Sequence, residues 1–483
     1  MKVDSDNKAT KVSASISGLL ASLCLTWWFT YDPTVDFVPS VPGMDNRPVT
    51  LDVATEANTE VINIGEYFET YEGQPGSSPG TWPRFRGAGF DNINTETVRL
   101  ADKWGESGPK TIWSVDLGEG HAAPAVSNGR VYVLDYDEDN RGDALRCFSL
   151  DDGKEIWRRW YRVNMKRNHG FSRTIPAVTD QFVVTIGPKG YVMCVDAITG
   201  DFLWGIDLVK EYGTEIPFWY TGQCPLIDDS VAVIAPGGKA LMIGVNCSTG
   251  KKIWETPNPK GWQMSHSSIV PIVVSGKRVY AYSSKGGFVG VSAEPDSRGE
   301  LLWASELWSP SVGAPSPVAL KDGRIFIAAG YGSGSVLLKV AENNGNYSVE
   351  KLLKYKPEAG MASEQQTPIY YKGYFYAILP KDAGVLRNQL VCYHPDDITT
   401  PVWTSGKTNR FGLGPYLIAD NKMFVLNDNG VLTLLRVSTR GYNQLAQAQI
   451  MDATDAWGPM ALVNGRLLLR DAHKMICIDV SAP

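Results

Sequence analysis

The chain has few histidines and few cysteines, and this scarcity limits the chemistry it can carry. Its 483 residues include five histidines and seven cysteines. No Cys-x-x-Cys or Cys-x-x-Cys-His occurs, which argues against a thiol-redox motif and a covalently attached haem. The formal net charge is −6 and there is no long basic run, so no nucleic-acid partner is expected.

Helical periodicity is almost absent from most of the chain, and a repeated glycine turn followed by tryptophan takes its place. Three copies end at Trp157, Trp204 and Trp254, and looser copies end at Trp303 and Trp403. Neighbouring tryptophans are 47 to 50 residues apart while the pattern is intact. Self-similarity at this period predicts stacked or radially arranged units, each too small to bury its own apolar face.

Each unit has the internal order of a four-stranded antiparallel blade. Residues 124–134 show a proline, a short apolar run, an Asn-Gly turn and an alternating apolar strand, which together predict a hairpin. A third strand, a glycine turn and a fourth strand follow. The opening prolines of the units are Pro124, Pro176, Pro225, Pro271, Pro317, Pro368, Pro415 and Pro459. The sequence therefore predicts an all-β, eight-bladed propeller.

The last unit stops one strand short. It runs through Ile476 and Val480 and ends at Pro483, so it lacks a fourth strand. The stretch from Ile112 to Leu117 has the fourth-strand pattern and precedes the first unit. We expect this N-terminal strand to complete the eighth blade and to close the ring, which leaves no long free sheet edge.

The Asp-x-x-Thr-Gly-x-x-x-Trp repeat resembles that of the pyrroloquinoline-quinone-like (PQQ-like) β-propeller family. The segment from Trp82 to Gly87 also resembles the leader that precedes many bacterial propellers of this kind. The resemblance implies that the blade tryptophans dock onto the next blade. The predicted docking residues are Trp113, Trp157, Trp204, Trp254, Trp303 and Trp403. The family includes quinoprotein dehydrogenases and non-catalytic scaffolds, and the fold alone does not choose between them.

The N-terminal stretch from Val12 to Tyr31 is long enough to cross a bilayer. Lys8 and Lys11 precede it and aromatic residues end it, which predicts a single transmembrane helix with the propeller outside the cytoplasm. The alternatives are a cleaved signal and a lipidated Cys24. The predicted organisation is a cytoplasmic tip and anchor (1–32), an extended tether (33–81) and the propeller (82–483). Residues 49–71 either belong to the tether or dock on a partner or the propeller.

Candidate site residues lie in the loops just before the opening prolines, which converge at one mouth of the channel. These loops hold three of the five histidines. The candidates are His121, His169, Arg173, Gln223, His266, Glu364 and Trp457. Histidines facing a carboxylate can bind a metal or act in acid–base chemistry. The alternative is a polar funnel filled with water, and no catalytic or metal-binding residue is assigned.

The resemblance implies a further test for a quinone enzyme. Such enzymes hold calcium with a Glu, an Asn and an Asp, and many sandwich the quinone between a Trp and a disulfide of adjacent cysteines. This chain has no adjacent cysteine pair, and the calcium triad does not map onto it. We therefore expect no cofactor, with PQQ and calcium kept as the alternative.

These observations favour a membrane-anchored scaffold over an enzyme. The expected function is that of a periplasmic or otherwise extracytoplasmic propeller that binds protein partners in a cell-envelope or membrane complex. In character it is closest to the non-catalytic propeller lipoprotein of the outer-membrane barrel-assembly machinery. The alternatives are a PQQ- and calcium-dependent dehydrogenase of a small alcohol or sugar, and capture of a ligand or metal at the channel mouth.

Overall fold

The computed structural model describes residues 3–31 and 61–483, which belong to two separate units. The first unit contains helix α1, Val3–Thr30. Leu19, Trp28 and Phe29 are exposed on it. Among the described residues, no helix combines the length and apolarity needed to cross a membrane, so the predicted transmembrane helix is not confirmed. Most of the predicted tether, residues 33–60, lies outside the described residues.

The second unit is built almost entirely from strands. Three strands precede the repeats: β1 Tyr67–Thr70, β2 Ile93–Asn94 and β3 Lys110–Asp116. Blade 1 contains β4 Ala125–Ser127, β5 Arg130–Asp137, β6 Gly142–Ser149 and β7 Glu155–Arg162. Blade 2 contains β8 Ala177–Val178, β9 Phe182–Ile186, β10 Tyr191–Asp196 and β11 Phe202–Asp207, and the short helix α2, Leu208–Tyr212, follows. Blade 3 contains β12 Leu226–Asp228, β13 Val231–Ile234, β14 Ala240–Asn246 and β15 Lys252–Pro257.

The remaining blades repeat this order. Blade 4 contains β16 Val270–Val274, β17 Lys277–Ser284, β18 Gly287–Ser292 and β19 Leu301–Ser305. Blade 5 contains β20 Val318–Ala319, β21 Arg324–Ala329, β22 Gly334–Asn343 and β23 Asn346–Tyr355. Blade 6 contains β24 Ile369–Tyr371, β25 Tyr374–Ile378, β26 Leu390–His394 and β27 Asp397–Thr404. Blade 7 contains β28 Tyr416–Ala419, β29 Lys422–Leu426, β30 Val431–Arg436 and β31 Gln444–Gln449, and blade 8 contains β32 Ala461–Val463, β33 Arg466–Arg470 and β34 Lys474–Asp479.

The N-terminal strand closes the ring. Strand β3 pairs antiparallel with β34, with Lys110 opposite Asp479 and Asp116 opposite Lys474. The strands in the described part of the chain thus form eight sheets, and the order of the eighth is β3-β34-β33-β32. The predictions of eight four-stranded antiparallel blades and of N-terminal closure are confirmed.

The hydrophobic core lies between neighbouring blades. Between blades 2 and 3, for example, Val184 and Trp204 pack with Ile234, Ile243 and Cys247. The three inner strands of each blade are therefore largely buried on both faces, whereas outermost strands such as β15 and β23 are mostly exposed. A blade cannot bury these faces alone, which explains why the repeat is stable only as a ring.

Residues 82–96, here called the leader, cross the channel at the end remote from the mouth. Trp82 exchanges two backbone hydrogen bonds with Val126 of blade 1, at 2.9 and 2.8 Å. Further along, the Asn94 side chain donates to the Leu462 carbonyl of blade 8 at 2.7 Å, and β2 pairs in parallel with β28 of blade 7. Innermost strands run from the mouth towards the opposite end, which we call the base. Because the leader contacts their later residues, it fills the channel near the base.

The described part of the predicted tether lies along blade 1. Strand β1 pairs antiparallel with β7 as a fifth strand, and Tyr67 stacks on Trp160 with 4.1 Å between ring centres. The chain then turns under the blade, where the Ser77 amide donates to the Asp151 carboxylate at 2.8 Å. From residue 61 onward the segment therefore docks on the propeller. Residues 49–60, the first part of the segment for which docking was one prediction, lie outside the described residues.

Candidate functional site at the channel mouth

The mouth is formed by two sets of loops. One set enters the innermost strands, as the sequence predicts. The other set joins the second and third strands of each blade, and these loops reach the same face because successive strands are antiparallel. Non-glycine residues with positive φ angles in these loops include His169, Tyr220, Tyr331 and Asp455. Residues held in such sparsely populated conformations cluster at functional sites.

Three candidate residues from three separate loops form a stack of rings. The centres of the His121 and Trp457 rings are 3.5 Å apart, with planes inclined by 17°. His169 lies 5.7 Å from each of them. The Gln366 side chain donates to the Trp457 carbonyl at 2.8 Å and connects the stack to the loop that carries Glu364. Tertiary structure thus joins residues that are up to 336 positions apart in sequence.

Arg173 is a cation whose charge acts on all three mouth histidines. Its guanidinium donates to the carbonyls of Phe171, Asn168 and His169 at 3.1, 2.7 and 2.8 Å. Burial lowers the pKa of Arg173 to about 10, so it stays charged at neutral pH.

The three mouth histidines are neutral at neutral pH. Burial, and then the charge of Arg173, lower the pKa of His266 to about 4. Burial and Arg173 also hold the pKa of His121 well below its usual range. The pKa of His169 is lowered by burial and Arg173, against the opposing effect of Asp455. These imidazoles can donate and accept hydrogen bonds without adding charge to the mouth.

Several buried atoms of the mouth have no hydrogen-bond partner among the described residues. They include Nδ1 of His121, Nε2 of His266 and Oε2 of Glu364. Burial raises the pKa of Glu364, and the Lys381 Nζ lies 4.0 Å from the other carboxylate oxygen. Unpartnered buried polar atoms are costly, so these three positions are places where water or a polar ligand would be stabilised.

Gln223 has a structural role. Its side-chain amide donates to the Ala235 carbonyl at 2.9 Å and to the Tyr282 hydroxyl at 3.2 Å, and its oxygen accepts from the Ala235 amide. All these partners belong to blades 3 and 4. The side chain is fully buried, so nothing remains for a ligand in the mouth.

Sequence reasoning missed a second aromatic group at the mouth. Trp219 stacks on Tyr331 with 5.1 Å between ring centres and lies 6.2 Å from the His266 ring. The Lys381 Nζ lies 5.6 Å from the Tyr331 ring centre. Tyr331 and Lys381 come from loops between second and third strands, whereas the sequence predicts a mouth formed only by the loops before the opening prolines. Tyr331 occurs in the glycine-rich turn at residues 330–335, whose sequence predicts only a connection between strands.

A belt of hydrogen bonds joins the loops just behind the mouth. In it, a backbone amide of one blade donates to a small side chain of the next. The successive members are Ile175, Cys224, Ser268, Ser316 and Thr367. The four bonds, each from the amide of one member to the side chain of the next, measure 3.2, 3.0, 3.2 and 2.9 Å. Ser268 therefore occupies the position that precedes the opening proline in its neighbours. Pro271 lies inside strand β16 and does not open blade 4 in the way the other prolines open theirs.

The described residues do not form the tryptophan–disulfide sandwich that holds the quinone in many quinoprotein dehydrogenases. Within the described residues, no group of three or more His, Cys, Asp or Glu side chains is arranged to hold a metal ion. His121 covers one face of Trp457 with 3.5 Å between ring centres, so a planar cofactor could not stack on that face. No cysteine of the described chain is in a disulfide. No catalytic step through a quinone follows from this arrangement.

The predicted docking tryptophans lie between blades. The indole N–H groups of Trp113, Trp157, Trp204 and Trp403 donate to carbonyls of the following blade at 3.0, 3.1, 2.7 and 2.8 Å. The N–H groups of Trp254 and Trp303 are buried without an acceptor. These two tryptophans reach the following blade through ring contacts instead, and Trp303 lies 5.5 Å from Tyr347 of blade 5.

Blades, closing strand and inter-blade tryptophans together define a propeller of PQQ-like repeats. The family model described as outer membrane protein assembly factor BamB matches residues 140–353 and 249–397, together more than half of the chain. The chain therefore belongs to this family. No curated protein matches it in sequence.

Solved structures show the same fold at low sequence identity. Quinohemoprotein alcohol dehydrogenase from Comamonas testosteroni is 12% identical, with 83% of this chain and 81% of that chain covered and a TM-score of 0.55. A europium-containing methanol dehydrogenase is 12% identical, with coverages of 83% and 90% and a TM-score of 0.56. BamB from Moraxella catarrhalis is 12% identical, with coverages of 77% and 99% and a TM-score of 0.49. Identities this low speak to the fold and not to activity.

Proposed function

We propose that the protein is a membrane-anchored, extracytoplasmic propeller that binds protein partners as a scaffold in a cell-envelope or membrane complex. The observation that carries this proposal is the match of more than half of the chain to the family described as an outer membrane protein assembly factor. The mouth supports it, because the described residues do not form the tryptophan–disulfide sandwich of many dehydrogenases that share the fold. A rigid ring with many exposed loops suits binding.

Helix α1 is the proposed anchor. Its apolar side chains, including Leu19, Leu23 and Trp28, are exposed, so another apolar environment is needed to cover them. Two of its hydroxyls are satisfied within the helix, since Thr26 and Thr30 donate to the carbonyls four residues earlier at 2.8 and 2.7 Å. Alkaline carbonate should leave the full chain in the membrane pellet. Release into the supernatant would contradict a membrane-embedded anchor.

The scaffold proposal is tested by extracting the full-length protein in mild detergent and weighing the intact complexes by native mass spectrometry. We expect discrete species in which the chain binds other membrane or envelope proteins in fixed stoichiometry. An untagged strain is the control for proteins retained by the matrix. A lone monomer at every detergent concentration would contradict the proposal.

The dehydrogenase alternative has its own measurement. The purified protein is incubated with PQQ and calcium and assayed with an electron-accepting dye against small alcohols and sugars. The poor fit of the mouth predicts no turnover above buffer, and no quinone absorbance retained after gel filtration. Substrate-dependent dye reduction together with retained quinone would make the dehydrogenase the better proposal.

Capture of a small ligand at the mouth is a second candidate function, favoured by the unpartnered atoms of His121, His266 and Glu364. A polar ligand would satisfy these atoms, whereas the described residues bring no three His, Cys, Asp or Glu side chains together for a metal ion. Thermal-shift screening of small carboxylic acids and metal salts should find a stabilising compound. Its effect should disappear when His121, His169 and His266 are replaced together by Gln, and an unchanged shift would exclude this site.

A further inference from the structure

Two adjoining cavities lie on the mouth face, and the inner one reaches His266. The first, of about 110 Å³, is lined by Phe218, Trp219 and Lys285 among others. The second, of about 350 Å³, is lined by Trp308, Lys354, Lys356 and neighbouring serines. Pro310 and Ser311 line both cavities. Together they form one open groove from the channel mouth towards the outer strand of blade 5, which we call the blade 4–5 groove.

The groove is basic in a protein that is acidic overall. The chain has 52 acidic and 46 basic residues, yet neither lining includes an Asp or Glu. The Lys354 Nζ lies 5.5 Å from the Trp308 ring centre, and the Lys356 Nζ donates to the Gly332 carbonyl at 2.8 Å. Among the described ion pairs neither lysine has a carboxylate partner, and only Lys285 has one, Glu215 at 3.6 Å. Their charges are available to an anionic partner.

The inner end of the groove is aromatic and partly exposed. Phe218 is 63% exposed and packs edge-on against Trp219, with 5.2 Å between ring centres. Trp219 in turn stacks on Tyr331. Rigid aromatic side chains of this kind are frequent anchors in protein interfaces, because they bury a large area at a small entropic cost.

The dimensions favour an extended chain over a globular element. A cavity of about 110 Å³ accepts a single apolar side chain, and the neighbouring cavity of about 350 Å³ accepts a few polar ones. We propose that the blade 4–5 groove binds an extended acidic segment of a partner protein. An apolar side chain of the segment packs beside Phe218 and Trp219, and carboxylates pair with Lys354 and Lys356. This inference rests on the scaffold function proposed above.

A direct test measures fluorescence anisotropy of a labelled short peptide of Asp and Glu with two Phe residues, mixed with the full-length protein in detergent. We expect binding that weakens as salt is raised. Lys354→Gln/Lys356→Gln should weaken it about tenfold. The control Lys277→Gln/Lys321→Gln removes the same charge from exposed turns of blades 4 and 5 at the base, and should leave binding unchanged. Phe218→Ala should weaken binding of this peptide but not of a peptide with Ala in place of Phe.

Three results would overturn the proposal. The first is that a matched peptide of Lys and Arg binds as tightly as the acidic peptide. The second is that the two double-lysine variants lose the same amount of affinity. The third is complete displacement of the peptide by millimolar citrate, which would identify a site for small anions. Both lysine pairs lie on exposed positions, and equal melting temperatures establish that the variants are folded.

Co-purification separates this inference from the proposed function. If the wild-type chain brings down partners and Lys354→Gln/Lys356→Gln loses one of them, the groove is that partner's site. If the variant keeps every partner, the groove inference fails while the scaffold function stands. If the wild-type chain itself brings down none, the scaffold function fails.

Discussion

At the scale of single residues, Asp143 is the carboxyl group whose environment differs most clearly from water. It is buried at the boundary of blades 1 and 2, where the Tyr161 hydroxyl donates to its Oδ2 and its Oδ1 has no partner. Burial, assisted by the nearby charge of Asp135, raises the pKa of Asp143 to about 7, although the bond from Tyr161 opposes the shift. At neutral pH this group is therefore close to its titration midpoint.

The raised pKa makes stability depend on pH in a defined direction. Below about pH 4 the carboxyl is protonated in both states, and its stabilising effect is complete. As pH rises towards 7 the unfolded chain ionises first, so the folded state loses stability, by up to about 4 kcal/mol. The amide in Asp143→Asn does not ionise, so this variant should not lose stability as pH rises. Urea unfolding at pH 4 and pH 8 should show the variant gaining on wild type at the higher pH only.

The control for this prediction is Asp116→Asn. The Asp116 side chain is 91% exposed, so its replacement should change stability equally little at both pH values. A stability difference between Asp143→Asn and wild type that stays constant with pH would show that Asp143 is not protonated in the folded protein.

At the scale of elements, the two signature residues of the repeat meet across blade boundaries. The turn glycine of one blade lies against the tryptophan of the preceding blade. Gly200, for example, has φ +76°, and a Cβ built on it would lie 2.8 Å from the Trp157 ring and from Phe68. Gly153, Gly250 and Gly299 stand in the same relation to Trp113, Trp204 and Trp254. Each of blades 1 to 3 therefore takes part in two inter-blade contacts of this kind. Its glycine meets the tryptophan of the preceding blade, and its tryptophan meets the glycine of the following blade.

Gly200→Ala should destabilise the propeller by about 2–4 kcal/mol, because it adds both backbone strain and a steric clash with Trp157. Gly276→Ala is the matched variant, since Gly276 has φ +81° and no atom within 4 Å of its Cβ position. Gly276→Ala adds backbone strain without a steric clash, so it should lower the free energy of unfolding by about 1 kcal/mol. Chemical denaturation followed by tryptophan fluorescence gives both values. Equal losses would mean that the tryptophan contact contributes nothing.

At the scale of the whole molecule, residues 61–100 join distant blades to one another. They cover the outer edge of blade 1, pass under it and cross the channel base. Trp82, Arg86 and Leu100 are each 3% exposed. The segment thus ties together blades at opposite sides of the ring, in addition to the closure by β3.

A chain that begins at Ala101 keeps the closing strand but loses these contacts. Compared with a chain that begins at Val61, it should lose at least about 3 kcal/mol of unfolding free energy, the usual cost of removing one buried tryptophan. Urea midpoints of the two chains measure the difference. Identical midpoints would show that residues 61–100 bind the ring without stabilising it.

The mouth shows where sequence reasoning succeeds and where it stops. His121, His169 and Trp457 were predicted to converge because loop position follows from blade topology, and the structure stacks their rings. Gln223 was grouped with them by the same rule but turns into the blade, because buried backbone groups of Ala235 need a partner. A loop position predicts a face of the molecule, and the local hydrogen-bond balance decides the direction of each side chain.

The repeat by itself determined the number of blades, their strand order and the closure of the ring. These features depend on alternating apolar residues and turn glycines, whose effects are local and recur in every unit. The closed base, the neutral histidines around Arg173 and the basic groove beside Lys354 were decided only by tertiary structure. Each depends on distances between residues that lie far apart in sequence, and burial and charge act through space rather than along the chain.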